Sequence, residues 1–281
     1  MKKLLLLFLL AFLAVPIANA EESVVTLTTT LDEGASIKLY TWADSMDDAF
    51  TIDWGDGVEK IYNKVKPSWT YGSELTGKLG ASKTITIKGD ITYLEIREMQ
   101  ISAATFANTK LKEVDMEKNQ LTDFNLSGLP EVTKLSLNEN SIVTFSSTGN
   151  TVLKNLGLKS NKIDSHQFEI SSLANSLEQL NVSENGENFV ALNLINFDKL
   201  QYFTANDNPE LTTVVFYDGS TNLKQISMNN CYIMHFYAIS LPNLSSLNLS
   251  NNALLDFENG TYPKLSTLSV NGNYLSEIDV T

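Results

Sequence analysis

The stretch Leu111–Leu121, LKEVDMEKNQL, decides the fold of this chain. Its apolar residues Leu111, Val114 and Met116 are spaced i, i+3 and i+5, whereas the apolar face of a helix needs i, i+3, i+4 and i+7. Val114 and Met116 alternate as in a short strand, and Asn119 follows where that strand has to turn. The stretch therefore predicts a short strand followed by a turn that carries a polar residue.

The same pattern recurs eight more times, with starts 20 to 24 residues apart. A fixed period of this length, with this spacing of leucine and asparagine, is the signature of a solenoid of stacked leucine-rich units. The polar position is Asn in seven units, Met99 in the first and Cys231 in the seventh. The nine units start at Ile91, Leu111, Val132, Leu153, Leu177, Leu200, Leu223, Leu244 and Leu265.

Residues 91–281 resemble a secreted bacterial leucine-rich repeat protein of the internalin-like kind, on the strength of these repeated units. The resemblance implies a mostly β fold, a right-handed solenoid of nine units with few short helices. It also implies binding and no enzymatic activity, although a fold alone does not fix a function.

The segments between the predicted strands share a second pattern. Prolines at 130, 242 and 263 precede the next unit and disfavour a helix there, so the convex side should consist of extended segments and single turns. Residues 165–176 are the place where we expect a short helix. Phe124, Phe236 and Phe257 recur at one position and predict a stack of rings in the core.

The buried asparagines are predicted to be structural. Where the chain leaves each strand, a buried amide side chain can satisfy backbone groups that water does not reach. Cys231 occupies the same column and is expected to be buried and inert, because a reactive thiol needs a basic, partly exposed setting.

Residues 21–90 contain no repeat and predict a β-rich cap domain over the first unit. Strands are expected near 24–30, 36–42, 50–54 and 83–87. Within them, the TIDWGDG string is similar to the W-G-D-G turn of PKD-like, immunoglobulin-type β domains. Asp53, Asp56 and Glu59 could offer oxygen ligands to calcium, but their spacing favours aspartates bonded to their own turn, so we expect no metal site.

Residues 1–20 have the anatomy of a secretory signal peptide. A basic start is followed by an apolar run and by Ala18-Asn19-Ala20, a small-residue cleavage site. We therefore expect an exported protein, secreted, periplasmic or on the outer cell surface, with no transmembrane segment. The expected organisation is a signal peptide over 1–20, the cap over 21–90 and the repeats over 91–281.

The acidic composition excludes some partners. The chain carries a formal charge of −13, and removal of Lys2 and Lys3 with the signal takes it to −15. Nucleic acid and anionic lipid surfaces are bound through basic patches, so neither is an expected partner. We find no catalytic motif and expect no cofactor.

Function is expected on the outward positions of the strands, which project from one sheet about 40 Å long. This concave face grades from charged in the first units to small, uncharged and polar in the last. A protein partner is the leading hypothesis, a glycan of a bacterial cell-surface system the second, and a spacer without a ligand the third. The candidate binding residues are Tyr93, Glu95, Arg97, Glu113, Asp115, Glu117, Lys134, Lys159 and Tyr202.

The signal peptide predicts the start of the mature protein. Cleavage after Ala20 should leave Glu21 as the first residue. Amino-terminal sequencing and intact mass of protein purified from the producing cells measure this directly. Recovery of the uncleaved chain of 31.1 kDa as the stable product would contradict the prediction.

Overall fold

The computed structural model describes residues 22–45, 48–63, 74–216, 221–236, 240–257 and 261–277. The predicted signal peptide, residues 1–20, lies outside the described residues. Six described strands precede the repeats, and four of them confirm the strands expected from the sequence. They are β1 (Val24–Thr29), β2 (Ser36–Ala43), β3 (Phe50–Asp53), β4 (Glu59–Tyr62), β5 (Glu74–Lys78) and β6 (Thr84–Lys88).

The turn after β3 is held by its own aspartate. Asp53 Oδ1 accepts hydrogen bonds from the backbone N–H groups of Gly55 at 2.8 Å and Gly57 at 3.0 Å. Both glycines have positive φ angles, 97° and 78°, which glycine adopts without steric cost. This confirms the prediction that the aspartate bonds to its own turn. Trp54, between Asp53 and Gly55, is fully buried in the core of the cap.

The remaining described strands lie on two sides of the repeats. The first residues of each unit form a strand of one sheet, and in the first six units residues further on form a described strand on the opposite side. In chain order they are β7 (Ile91–Glu95), β8 (Ile101–Ala107), β9 (Glu113–Asp115), β10 (Asp123–Asn125), β11 (Lys134–Ser136), β12 (Thr144–Ser146), β13 (Asn155–Gly157), β14 (Phe168–Glu169), β15 (Gln179–Asn181), β16 (Ala191–Asn193), β17 (Tyr202–Thr204), β18 (Thr213–Val215), β19 (Gln225–Ser227), β20 (Ser246–Asn248) and β21 (Thr267–Ser269).

One long sheet runs through the whole molecule. Its strand order is β5-β2-β7-β9-β11-β13-β15-β17-β19-β20-β21, so one strand from each of the nine units is present. Neighbouring units pair in parallel with the same register, as in Leu94 opposite Val114 and Val114 opposite Leu135. Equivalent residues of successive units therefore form straight columns across the sheet.

The opposite side has extended segments and single turns, as the prolines predicted. It carries two short parallel sheets, β10-β12-β14 and β16-β18. The expected short helix is confirmed as two 3-10 turns, Ser165–Gln167 and Ser171–Leu173. The predicted ring stack is also present, because Phe236 and Phe257 lie parallel with centroids 6.0 Å apart.

The cap continues both sides of the first unit. β2 pairs antiparallel with β7 and so extends the long sheet, while β1 pairs antiparallel with β8 on the opposite side. Thr41 Oγ1 adds a hydrogen bond to the carbonyl of Tyr93 at 2.6 Å. The first unit therefore meets paired strands on its outer side, where a solenoid end would otherwise expose unpaired strand groups.

The asparagine column is a ladder of buried amides between successive units. Asn140 shows the arrangement: its Nδ2 donates to the carbonyls of Met116 and Leu137, both at 3.0 Å. Its Oδ1 accepts the backbone N–H of Leu121 at 3.1 Å. Each such amide thus bonds its own unit to the preceding one. Equivalent bonds are made by Asn119, Asn161, Asn185, Asn208, Asn252 and Asn273.

Removal of one amide from this ladder should destabilise the fold. Asn208 is fully buried and makes three hydrogen bonds, of 2.7 Å from Asn185 N–H, 3.0 Å to Val182 O and 2.9 Å to Ala205 O. Asn208→Ala leaves these groups unpaired in the core, which should lower the free energy of unfolding by about 1–3 kcal/mol. Urea unfolding followed by circular dichroism measures the difference.

A matched control is Asn188→Ala, because Asn188 is exposed and its side chain makes no hydrogen bond within the described part of the chain. Its free energy of unfolding should stay within about 0.5 kcal/mol of the parent value. Equal effects of the two substitutions would contradict the structural role of the ladder.

Candidate functional site

The candidate site is the solvent-facing side of the long sheet, which we call the concave face. Side chains alternate along each short strand, so that Val114 is buried while Glu113 and Asp115 on either side of it are half-buried and face solvent. The structure places all nine residues predicted from sequence on this face or directly beyond the carboxyl ends of its strands: Tyr93, Glu95, Arg97, Glu113, Asp115, Glu117, Lys134, Lys159 and Tyr202.

Four of these residues form one ionic cluster across the first two units. The Arg97 guanidinium makes a two-pronged contact with Asp115, with Nε 2.9 Å from Oδ1. It also lies 3.6 Å from Glu95 and 3.5 Å from Glu117. Three carboxylates therefore share one guanidinium. Arg97 remains 45% exposed, whereas its three partners are between 15% and 19% exposed.

The cluster perturbs the ionisation of its members. The hydrogen bond to Asp115 raises the pKa of Arg97 above its ordinary value, so the guanidinium is always charged. Burial raises the pKa of Asp115, and this outweighs the opposing effect of Arg97. Burial, followed by the hydrogen bond to Glu95, raises the pKa of the Tyr93 hydroxyl. Tyr93 is therefore a neutral donor at physiological pH.

Trp42 of the cap packs on Tyr93 beside this cluster, and the sequence did not predict Trp42 as a residue of the site. Its indole lies parallel to the ring of Tyr93, with centroids 3.8 Å apart and planes inclined by 5°. Tyr93 in turn donates a hydrogen bond from its hydroxyl to Glu95 at 2.5 Å. Trp42 lies opposite Tyr93 because β2 pairs with β7. The repeat pattern of residues 91–281 carries no information about that pairing.

The other predicted charges are paired at the surface. Lys134 lies 3.9 Å from Glu113 in the neighbouring unit. Lys159 lies 3.0 Å from Glu184, and both residues follow the ends of their strands. Exposed pairs of this kind contribute little to stability. The structure therefore joins the residues of the first two units in one site and leaves Lys159 and Tyr202 apart from it.

A hollow of about 310 Å³ lies further along the concave face. Its centre is Gly157, which has no side chain at an outward position that every neighbouring unit fills with a polar residue. The sequence predicted that these residues lie on the face but did not predict a hollow between them. A glycine at an outward position, such as Gly157, is the feature that indicates one. The lining side chains include Lys134, Ser136, Asn155, Gln179, Asn181, Tyr202 and Thr204.

Several polar groups in the hollow lack intramolecular partners. Within the described ranges, the side chains of Asn155, Gln179 and Thr204 make no hydrogen bond to the protein. Tyr202 is 36% exposed, and the ammonium group of Lys224 lies 5.8 Å from the centre of its ring. The hollow therefore combines an aromatic wall with donors and acceptors that are open to a ligand.

Cys231 has the buried setting that the sequence predicted. Its thiol donates to the carbonyl of Ala205 at 3.1 Å, and burial raises its pKa to about 11. A thiol that stays protonated at neutral pH is a poor nucleophile. The two histidines are exposed, and their Nδ1 atoms lie 3.1 Å and 2.9 Å from Asp164 and Asp256.

The described residues contain no group of three or more His, Cys, Asp or Glu side chains placed to hold a metal ion. They also contain no helix with the length and hydropathy that crossing a membrane requires.

Comparison with solved structures supports the architecture. The chain is similar to the functional domain of InlJ from Listeria monocytogenes, with a TM-score of 0.52 and 18% sequence identity over 72% of this chain. The fold is a leucine-rich repeat solenoid. This confirms the predicted fold class, and at this level of identity the similarity shows the fold alone. The chain spans 49% of the InlJ domain's length.

Other leucine-rich repeat structures match less well. The repeat domain of LRIM1 has a TM-score of 0.42 and 18% identity, covering 58% of this chain and 60% of LRIM1. YopM from Yersinia enterocolitica has a TM-score of 0.25 and 16% identity, covering 68% of this chain and 66% of YopM. No protein-family model matches the sequence, and the search of curated proteins gives no match.

Proposed function

We propose that this leucine-rich repeat chain is an exported, non-enzymatic binding module that recognises a protein partner through its concave face. The observation that carries the proposal is the unbroken register of the long sheet, which aligns outward side chains from all nine units. Eleven strands at the usual spacing make a surface about 50 Å long. A surface of this length suits a macromolecule better than a metabolite.

The first units have the composition that favours protein recognition. Interfaces are enriched in Tyr, Trp and Arg. Tyr93 and Arg97 both contact Glu95 in this region. Trp42 beneath Tyr93 is buried, so it supports the tyrosine ring and limits its motion. Rigid aromatic side chains lose little conformational entropy when a partner binds, which favours affinity.

The charge of this region favours a basic partner surface. Around the cluster, the four acidic residues Glu95, Glu113, Asp115 and Glu117 face the two basic residues Arg97 and Lys134. The excess of two negative charges adds to the acidic character of the whole chain. Complementary charge increases association rates and excludes acidic competitors.

The lack of enzymatic activity is inferred from the chemistry of the site. The carboxylates of the cluster share one arginine, and the thiol that could act as a nucleophile is buried and protonated. Export rests on the signal peptide anatomy of residues 1–20.

A charge reversal on the concave face tests the proposed function. Glu113 is 41% exposed and contacts Lys134 only weakly, so Glu113→Lys changes the surface charge without breaking the Arg97 cluster. We expect this substitution to lower the amount of partner captured at least about tenfold, which corresponds to a loss of about 1.4 kcal/mol of binding free energy. Capture from intact cells and extracellular fluid is measured by quantitative mass spectrometry, with immobilised mature protein as bait.

The matched control is Asp123→Lys, which makes the same charge change on the opposite side of the solenoid. Its capture profile should equal that of the parent chain. If Asp123→Lys and Glu113→Lys reduce capture equally, the concave face is not the binding surface. If the parent bait enriches no protein over Glu113→Lys, the proposed protein-binding function is wrong.

A further inference from the structure

We infer that the hollow at Gly157 is a binding site for a neutral saccharide, separate from the ionic cluster of the first two units. The inference goes beyond the proposed protein-binding function and does not depend on it. It starts from shape: the missing side chain of Gly157 leaves a recess of about 310 Å³ between the side chains of adjacent units. Sites for small ligands start at about 300 Å³, which places this recess at the small end of the range.

The polar groups of the recess match the chemistry of sugar hydroxyls. Asn155 and Gln179 each offer one carbonyl acceptor and an NH₂ group with two donors, and neither side chain is engaged by the described residues. A hydroxyl both donates and accepts, so vicinal hydroxyls can bond to an amide with both of its ends. Thr204 adds a further free hydroxyl to the same lining.

Tyr202 supplies the apolar contact that such a ligand needs. The C–H groups of a pyranose ring form an apolar face with partial positive charge, and the face of an aromatic ring is partially negative. Tyr202 lines the recess and is 36% exposed. The side chain of Lys224 lies 5.8 Å from its ring centre, which restricts the ring without filling the recess.

The charge of the recess argues for a neutral ligand. Lys134 is the charged residue of the lining, and Glu113 lies 3.9 Å from its ammonium group. Glu117, which accepts hydrogen bonds from Ser136 and from Asn138, adds negative charge at one side. The lining therefore supplies no cation without a carboxylate neighbour, which disfavours a sulfated or carboxylated sugar.

The contrast with other parts of the same face strengthens the inference. In the first two units the polar side chains bond to one another, as in the Arg97 cluster. In the seventh unit, Ser227 donates to Asn206, whose oxygen also accepts the N–H of Asn229. Around Gly157 three outward side chains make no hydrogen bond to the described residues, those of Asn155, Gln179 and Thr204. A ligand in the recess therefore gains hydrogen bonds to these three groups without breaking existing ones.

The test measures saccharide binding by the parent chain and by variants in which the recess at Gly157 is filled or the aromatic ring of Tyr202 is removed. The probes are neutral hexasaccharides of glucose, mannose, galactose and N-acetylglucosamine in α and β linkage, with heparin as the anionic comparison. Binding to the mature chain is measured by saturation-transfer NMR and calorimetry. We expect at least one neutral probe to bind with a dissociation constant of about 1 mM or tighter, and heparin to bind more weakly.

Three substitutions should weaken that binding. Gly157→Gln should lower the affinity about tenfold or more, because its side chain occupies the recess. A Cβ at this position lies 3.0 Å to 3.3 Å from side-chain atoms of Asn138 and Ser136, so these side chains must shift by a few tenths of an ångström. The Asn138 side chain is itself held by three hydrogen bonds, so equal urea unfolding of the variant and the parent must accompany the binding measurement. Tyr202→Ala should have a similar effect. Gln179→Ala, at an exposed residue whose side chain makes no hydrogen bond to the described residues, should weaken binding several-fold without affecting folding.

Two controls should retain the parent affinity within about twofold. Tyr202→Phe keeps the aromatic face. Ser269→Gln places the same side chain in the same outward column on β21, the last described strand of the sheet, outside the recess. The inference is overturned if no neutral probe binds at about 1 mM, or if Gly157→Gln binds as the parent does. It is also overturned if Gly157→Gln impairs only capture of a protein while no saccharide binds, since the recess would then belong to the protein interface.

Discussion

The buried amide ladder is the constraint on which the rest of the structure depends. At each turn the residue before the ladder position has a positive φ, as in Lys118 at 56°, Glu139 at 56° and Ser160 at 55°. For residues other than glycine this conformation costs about 1–2 kcal/mol. In the seven units that have asparagine at the ladder position, its amide bonds fix the turn nevertheless, because leaving the inward backbone groups unpaired would cost more. The ladder thereby sets the register of every strand on the concave face, and with it the position of every candidate binding residue.

That register divides the concave face into regions of different chemistry. Near the cap, one guanidinium and three carboxylates bond to one another, and the tyrosine beside them rests on Trp42. This region is rigid and acidic, which suits a preorganised contact with a basic protein surface. Around Gly157 the side chains of Asn155 and Gln179 have no partners among the described residues, and the ring of Tyr202 lies at one side. Such a region gains hydrogen bonds only when a ligand arrives. The two regions therefore differ in how their polar groups are satisfied, although they belong to one sheet.

The repeated part of the fold was predictable from the sequence, because each rule there is local. The spacing of Leu111, Val114 and Met116 predicts strand and turn, and the same spacing in nine units predicts the stack. The cap was predictable in part: alternating β1, β2, β3 and β6 were expected, whereas β4 and β5 were missed. β4 is exposed at three of its four residues, and β5 buries only Leu75 deeply, so neither has a clear apolar alternation. Pairing between segments that are distant in the sequence is the second feature that could not be predicted. The contact of Trp42 with Tyr93 and the recess at Gly157 both depend on which strands lie side by side, which no single stretch encodes.

Hydrogen exchange of the amides that bond to the ladder tests the central claim most directly. The backbone N–H groups of Leu121, Ile142 and Ile163 donate to the Oδ1 atoms of Asn140, Asn161 and Asn185 at 3.0 to 3.1 Å. If these amides hold the units in register, they should exchange only through the largest unfolding transition of the repeats, as core amides do. Residue-resolved NMR measures their rates. Exchange at the rate of exposed loop amides would contradict the account, because the asparagines would then not connect the units.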